Sequence, residues 1–272
     1  MWIEVFDPLT SMHMHGYFLI TGASKGIGKA IAEILAADKN NLIIIARSED
    51  ILANLAETLK QQYDIVVHYL VCDLAKENAA EDVYNWIKLN QFNIKGLINN
   101  AGYGLSGAFD KYPLMQHEDM MRLNMFAPVQ LTYLLLPHLK QQPKAYILNV
   151  ASAAAYQAVP GLTLYAATKA FLLSFSRGLQ YELKDTNITV TAVCPGATDT
   201  DFPNRAQVGE KAQKAASKLN MSANEVAKLA IKAMYAEKTE VITGFVNKLG
   251  AFFAWLLPKK WVEKTAAGIY KE

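Results

Sequence analysis

The chain has 272 residues, 52% of them hydrophobic, which is enough to bury a large core and suits one domain better than two. Its 27 basic and 25 acidic residues leave a formal charge of +2, so no strong overall field draws in nucleic acid or an anionic membrane. The two cysteines, Cys72 and Cys194, lie far apart and outside any metal-ligand spacing; they read as buried, reduced thiols of a cytoplasmic protein without a metal site.

The first fifteen residues carry no Lys or Arg and no long apolar run, which argues against a secretory signal peptide. His13 and His15 flank Met14 in a polar stretch that reads as a flexible extension over residues 1–15. From Gly16, short β-branched runs alternate with segments of helical period. In chain order the reading gives strand 17–20, helix 27–37, strand 42–46, helix 49–62, strand 66–71, helix 79–89, strand 96–99 and one long helix 115–140. Strand 146–150, helix 164–184, strand 189–193, helix 223–236 and a short strand 240–243 follow. Ser222 with Glu225 three positions on makes a capping box for the last of these helices. The alternation specifies a doubly wound, seven-stranded parallel sheet of Rossmann type, a three-layer α/β/α single domain over 16–244. An apolar tail, 245–272, lies outside it, and there is no internal repeat or linker.

The loop Thr21-Gly22-Ala23-Ser24-Lys25-Gly26-Ile27-Gly28 leaves the first strand and opens the first helix. Glycines there allow a tight turn and close approach of backbone to a pyrophosphate, which rests on the helix N-terminus. Taken alone, such a turn equally well only shapes a β-to-α connection. The second strand ends Ile45-Ala46-Arg47-Ser48, with no carboxylate for a ribose 2′-hydroxyl. Arg47, helped by Lys25, suits a 2′-phosphate instead, so NADP(H) is expected as cofactor.

Tyr165 and Lys169 stand at i and i+4 near the start of a helix, which puts an ammonium beside a phenol on one face. The charge favours phenolate and brings the phenol toward a useful range for proton transfer. Tyr-x-x-x-Lys alone arises often by chance. Ser152, thirteen positions before Tyr165, ends the fifth strand, where open α/β sheets place their ligands, and its hydroxyl suits a substrate oxygen.

With these residues on one chain, roughly Gly16 to Gly244 resembles the short-chain dehydrogenase/reductase family. The resemblance rests on Thr21 to Gly28, Asp73 after the third strand, Asn99-Asn100-Ala101-Gly102 after the fourth, Asn124, Ser152, Tyr165, Lys169 and the Pro-Gly-x-x-x-Thr stretch Pro195 to Thr200. It implies Tyr165 as general acid in reduction, Ser152 orienting the carbonyl, Lys169 tuning the phenol and binding the nicotinamide ribose, and Asn124 completing a water-linked proton relay. It also implies cofactor contacts from Asp73, Asn99, Ala101, Gly102, Pro195, Gly196, Thr198 and Thr200, a homo-oligomeric assembly, and an apolar substrate pocket near Tyr103, Leu105, Tyr156, Pro160, Leu162 and Phe202. Where the family has an aliphatic residue, this chain has Thr198, a departure that matters little if the backbone makes the contact. For Asn124 a cap on a distorted helix, and for Asn99 a bridge between strands, stand beside the catalytic readings.

A lipophilic ketone or 3-oxoacyl-like substrate follows from that pocket. Arg205, Lys211, Lys214 and Lys218 in the segment after Phe202 suit an acidic carrier or simply solvate a helix. The tail run Leu249 to Leu257, then Pro258-Lys259-Lys260-Trp261, is shorter than the roughly 20 residues a bilayer span needs. It reads as a helix packed on the cleft or a subunit, or one lying in a membrane interface; apolar residues around most of its circumference favour packing. The expected function is an NADP(H)-dependent oxidoreductase, and the alternative is a binding protein that senses NADP(H) without turnover.

Overall fold

The computed structural model describes residues 16–209 and 220–270. The expectations for residues 1–15 and for Lys211, Lys214 and Lys218 lie outside the described residues. Nine strands form among the described residues, β1 (Tyr17–Thr21), β2 (Asn41–Ala46), β3 (Val67–Val71), β4 (Ile94–Asn99), β5 (Ala145–Val150), β6 (Ile188–Cys194), β7 (Thr198–Asp199), β8 (Met221–Ser222) and β9 (Glu240–Ile242). Seven of them make one parallel sheet in the order β3-β2-β1-β4-β5-β6-β9, with Tyr17 opposite Asn41 at the start of the β1–β2 register. Strand order reverses between β1 and β4, which opens a crevice at their carboxyl ends.

The central strands are buried on both faces, which is why they read as unbroken apolar runs. Phe18 and Ile20 of β1 point to one layer, packing with Ile31 and Leu35 of α1 (Gly26–Ala37), Leu52 and Leu59 of α2 (Glu49–Tyr63) and a later helix carrying Ile231 and Met234. Tyr17 and Leu19 point to the other, against Val83 and Ile87 of α3 (Ala79–Leu89) and a helix bearing Leu131, Leu135 and Leu139.

The long helix expected over 115–140 is divided. α4 (Leu114–Met121) passes into a π-helical turn, Arg122–Phe126, before α5 (Ala127–Lys140). Pro128 has no N–H to return to the carbonyl four residues back, and Asn124 within the turn bonds elsewhere, so the regular ladder is interrupted there. α6 (Thr163–Glu182) carries Tyr165 and Lys169, and α7 (Ala223–Tyr235) starts at the expected capping box: Ser222 Oγ accepts from Glu225 N–H at 3.2 Å and Glu225 accepts from Ser222 N–H at 2.9 Å.

The two-residue pairing of β7 with β8 was not legible in the sequence. The tail is two helices, α8 (Phe245–Leu256) and α9 (Lys259–Tyr270). Pro258 parts them, since the residue before a proline is driven to extended backbone, as Leu257 is at φ −86 and ψ 157.

Candidate active site

A cavity of about 670 Å³ lies at the carboxyl ends of the strands and extends from the β1–α1 loop to the underside of α8. Gly22, Ser24, Lys25, Gly26, Ile27, Arg47, Asp73, Ala101, Gly102, Ser152, Tyr156, Tyr165, Lys169, Pro195, Gly196, Thr198, Thr200 and Phe202 all line it, so nearly every residue singled out in the sequence comes together there.

The loop is held by left-handed glycines and by close packing on the end of β4. Gly22 and Gly26 sit at φ +66 and +58, and a Cβ on Gly22 would meet Ala101 Cα at 2.9 Å. Thr21 holds the loop to the end of β4: its hydroxyl accepts from the N–H groups of Asn100 and Ala101, both at 3.0 Å, and donates to the carbonyl of Ile98. Asn100 completes the clamp by donating to the carbonyls of Thr21 and Gly22 at 2.9 and 3.1 Å. Asn100 also lines the cavity, and although the sequence reading quoted it, it assigned the residue no task.

Three expected site residues do not reach the cavity. Gly28 serves packing, because a Cβ there would lie 2.3 Å from Asn100 Nδ2 and 2.4 Å from the Gly22 carbonyl oxygen. Asn99 is buried and donates to Asn149 Oδ1 at 2.9 Å, so its side chain bridges β4 and β5. Asn124 is buried in the π-helical turn. Its amide donates to Tyr103 O at 2.9 Å and to Thr168 Oγ1 at 3.0 Å, and its oxygen accepts from Tyr103 N–H at 3.1 Å. It stands next to Lys169 nonetheless: a Cβ on Gly102 would be 2.9 Å from Asn124 Oδ1 and 3.2 Å from Lys169 Nζ.

Lys169 is buried and donates to the Val150 carbonyl at 2.8 Å, with Nζ 5.8 Å from the centre of the Tyr165 ring. Burial pushes its pKa down to about 8. Tyr165 is nearly buried, its ring 5.1 Å from that of Phe202. Ser152 caps a short 3₁₀ turn, Ala153–Tyr156, and its hydroxyl oxygen accepts from Ala154 N–H at 3.1 Å. The acceptor bond fixes the direction of the oxygen and leaves the hydroxyl hydrogen to donate.

Tyr156 has a partner within the protein. It borders the cavity, but its hydroxyl donates to the Glu240 carboxylate, and burial together with Cys194 and Glu240 raises its pKa far above that of an ordinary phenol. It is spent on the sheet edge. Leu162 and Phe202 line the main cavity as expected, while Tyr103 and Leu105 line a second one of about 270 Å³, and Pro160 lines neither.

Lys25 pairs with the Asp201 carboxylate, tying the phosphate loop to the segment before Phe202. Arg205 borders both cavities with Arg47; its guanidinium lies 4.6 Å from the Tyr103 ring centre, and burial and the neighbouring Arg47 charge lower its pKa. Asp73, which accepts from Ala75 N–H at 3.2 Å, shares both cavities as well. The sequence placed Arg205 in the segment after Phe202 without linking it to Arg47, since the two are distant in the chain. Asn247, Gly250, Ala251 and Ala254 of α8 also line the main cavity. Their spacing of three and four was the available signal for a helix face turned toward a cleft. Among the described residues no group of His, Cys, Asp or Glu has the arrangement of a metal site.

The family described as short chain dehydrogenase matches residues 17–211. The chain belongs to that family. An uncharacterized oxidoreductase of Bacillus subtilis (strain 168), DltE, is 38% identical over 191 residues, 70% of this chain and 74% of that one. The very-long-chain 3-oxoacyl-CoA reductase of Anas platyrhynchos is 36% identical over 183 residues, 65% of this chain, and the match spans only 58% of that longer protein. Among solved structures, a short-chain dehydrogenase from Sphingobium yanoikuyae in complex with NADPH superimposes with a TM-score of 0.78 at 30% identity, covering 89% of this chain and 93% of that one. As a family member the chain is an oxidoreductase acting between alcohol and carbonyl with a nicotinamide cofactor.

Proposed function

We propose that the chain is an NADP(H)-dependent reductase of lipophilic ketones or 3-oxoacyl-like substrates, with Tyr165 as the proton donor. The observation that carries this reading is that Tyr165, Lys169 and Ser152 border the same cavity as the Gly22–Ile27 loop and Arg47. The loop suits a dinucleotide, since Gly22 and Gly26 take left-handed backbone where the loop borders the cavity and opens the N-terminus of α1. In this reading Ser24, Gly26 and Ile27 hold the pyrophosphate, Arg47 and Arg205 the 2′-phosphate, Asp73 the adenosine, and Lys169 the nicotinamide ribose. Ala101, Gly102, Pro195, Gly196, Thr198 and Thr200 border the remainder.

The nicotinamide supplies the hydride when bound. The chain's own residues manage the oxygen: Ser152 donates a hydrogen bond to the substrate carbonyl, and Tyr165 delivers the proton as negative charge builds there. Lys169, held by the Val150 carbonyl, keeps its charge beside the phenol and lowers the cost of the phenolate left behind. Asn124 braces Tyr103 and Thr168 around this group. The apolar walls from Val159, Leu162, Phe202 and Ala254 favour a lipophilic substrate. The homologous very-long-chain 3-oxoacyl-CoA reductase supports a long acyl group.

The test is NADPH oxidation against a panel of ketones and 3-oxoacyl thioesters of rising chain length. Turnover is expected on long, apolar members and is expected to fall by about a hundredfold to ten-thousandfold in Tyr165→Phe while NADPH still binds. NADPH binding without oxidation of any panel member would replace the reductase with a cofactor sensor.

A further inference from the structure

α8 is turned inside out for a surface helix. Its inward face is small and part polar, Asn247, Gly250, Ala251 and Ala254, and borders the reaction cavity. Its outward face carries Phe245, Leu249, Phe252 and Leu256, at i, i+4, i+7 and i+11, so they form one stripe diametrically opposite the cavity. Phe253 and Trp255 flank the stripe, and Trp261 follows on α9. All seven are exposed, Phe245 at 77%, Trp255 at 75% and Trp261 at 64%. A water-facing helix has no reason to hold its largest apolar side chains away from the core, and patches of this kind mark contact surfaces.

The charges say what the surface meets. Residues 245–270 hold four lysines, Lys248, Lys259, Lys260 and Lys264, against the single Glu263, so this one hairpin is more positive than the chain as a whole. All four are exposed on the same two helices as the aromatic residues, and Lys259 also donates to the Ala254 carbonyl at the end of α8 at 2.7 Å. Aromatic rings mixed with lysines suit the boundary between acyl chains and anionic headgroups, where the rings enter and the ammonium groups stay outside. A second copy of the same face would set lysines against lysines. No helix of the described residues is long and apolar enough to cross a membrane, so the contact is one of lying on the surface.

The geometry points to the α8–α9 hairpin as a docking surface for an anionic lipid bilayer, with α8 serving as the wall shared by the lipid and the reaction cavity. The overall charge balance hides this surface, because it averages a basic hairpin over a nearly neutral chain.

Flotation of the full chain with vesicles of phosphatidylglycerol and phosphatidylcholine, and with phosphatidylcholine alone, tests it. The parent is expected to float with the anionic vesicles, less so as salt rises, and weakly with the zwitterionic ones. Phe252→Ser with Trp255→Ser, and separately Lys248→Glu with Lys260→Glu, are each expected to lower the bound fraction by about tenfold or more. Far-UV circular dichroism and NADPH binding, unchanged in both variants, establish that they fold. Failure of the parent to float with any vesicle would overturn the proposal. So would flotation of folded variants to the parent's extent, or a parent dimer broken by the Ser pair with no vesicle binding. Vesicle-free NADPH oxidation tests the reductase reading separately, so either idea can fail alone.

Discussion

At the scale of single residues, Lys169 carries the most constrained chemistry. Its amine is buried and its pKa is pushed down to about 8 from the ordinary 10.5. Between those two values the folded chain holds fewer protons at this site than the unfolded chain, so this group's contribution to stability rises with pH across that window. Urea unfolding of the parent and of Lys169→Met should therefore show the difference moving in the parent's favour from pH 8 toward 10.5; a pH-independent difference would contradict the burial argument. Arg47 is the second residue whose effect can be isolated. If it meets a 2′-phosphate, Arg47→Ala should raise KM for NADPH by roughly tenfold to a hundredfold, the value of about 1.5–3 kcal/mol for a charge-assisted bond, and leave KM for NADH nearly unchanged. Equal losses for both cofactors would remove it from that role. Tyr165 and Lys169 were legible because the i, i+4 spacing is local. The hydroxyl partner of Tyr156 was not legible, because Glu240 lies on a strand far along the chain and no local signal says which way a ring turns.

At the scale of elements, the phosphate loop is a clamp of three parts: Thr21 at the end of β1, the glycines, and Asn100 after β4. Gly28 holds the clamp shut from the α1 side, since no side-chain atom fits between it, the Gly22 carbonyl and the Asn100 amide. Gly28→Ala is expected to destabilise the fold by about 1–3 kcal/mol and to weaken NADPH binding, because the Gly22 backbone must yield as well as the Asn100 amide. Thermal unfolding and fluorescence titration measure the two effects, and unchanged values in both would show the loop to be slack. The central strands of the sheet were read to within two residues because burial on both faces makes them continuous apolar runs. The division of the helix after α4 was not, because periodicity carries straight through Arg122–Phe126, and the break comes from Asn124 reaching the backbone of a loop twenty-one residues earlier. Pro128 was the overlooked signal.

At the scale of the whole molecule, the loops at the carboxyl ends of the strands and the helix α8 enclose the cavity. α8 borders the cleft with its small residues and leaves its large ones exposed, and a count of apolar residues around the helix could not separate the two faces. Asn247 fills the space over Gly196, where a Cβ would come within 2.1 Å of its amide nitrogen, so α8 is keyed to the loop after β6 rather than laid loosely across it. That fit gives Gly250, Ala251 and Ala254 a further part, because a wall that cannot retreat turns the bulk of its side chains into a ruler. Ala251→Leu should shorten the longest substrate the enzyme accepts, read as a drop in kcat/KM that grows with each added methylene, while the shortest members of the series react as before.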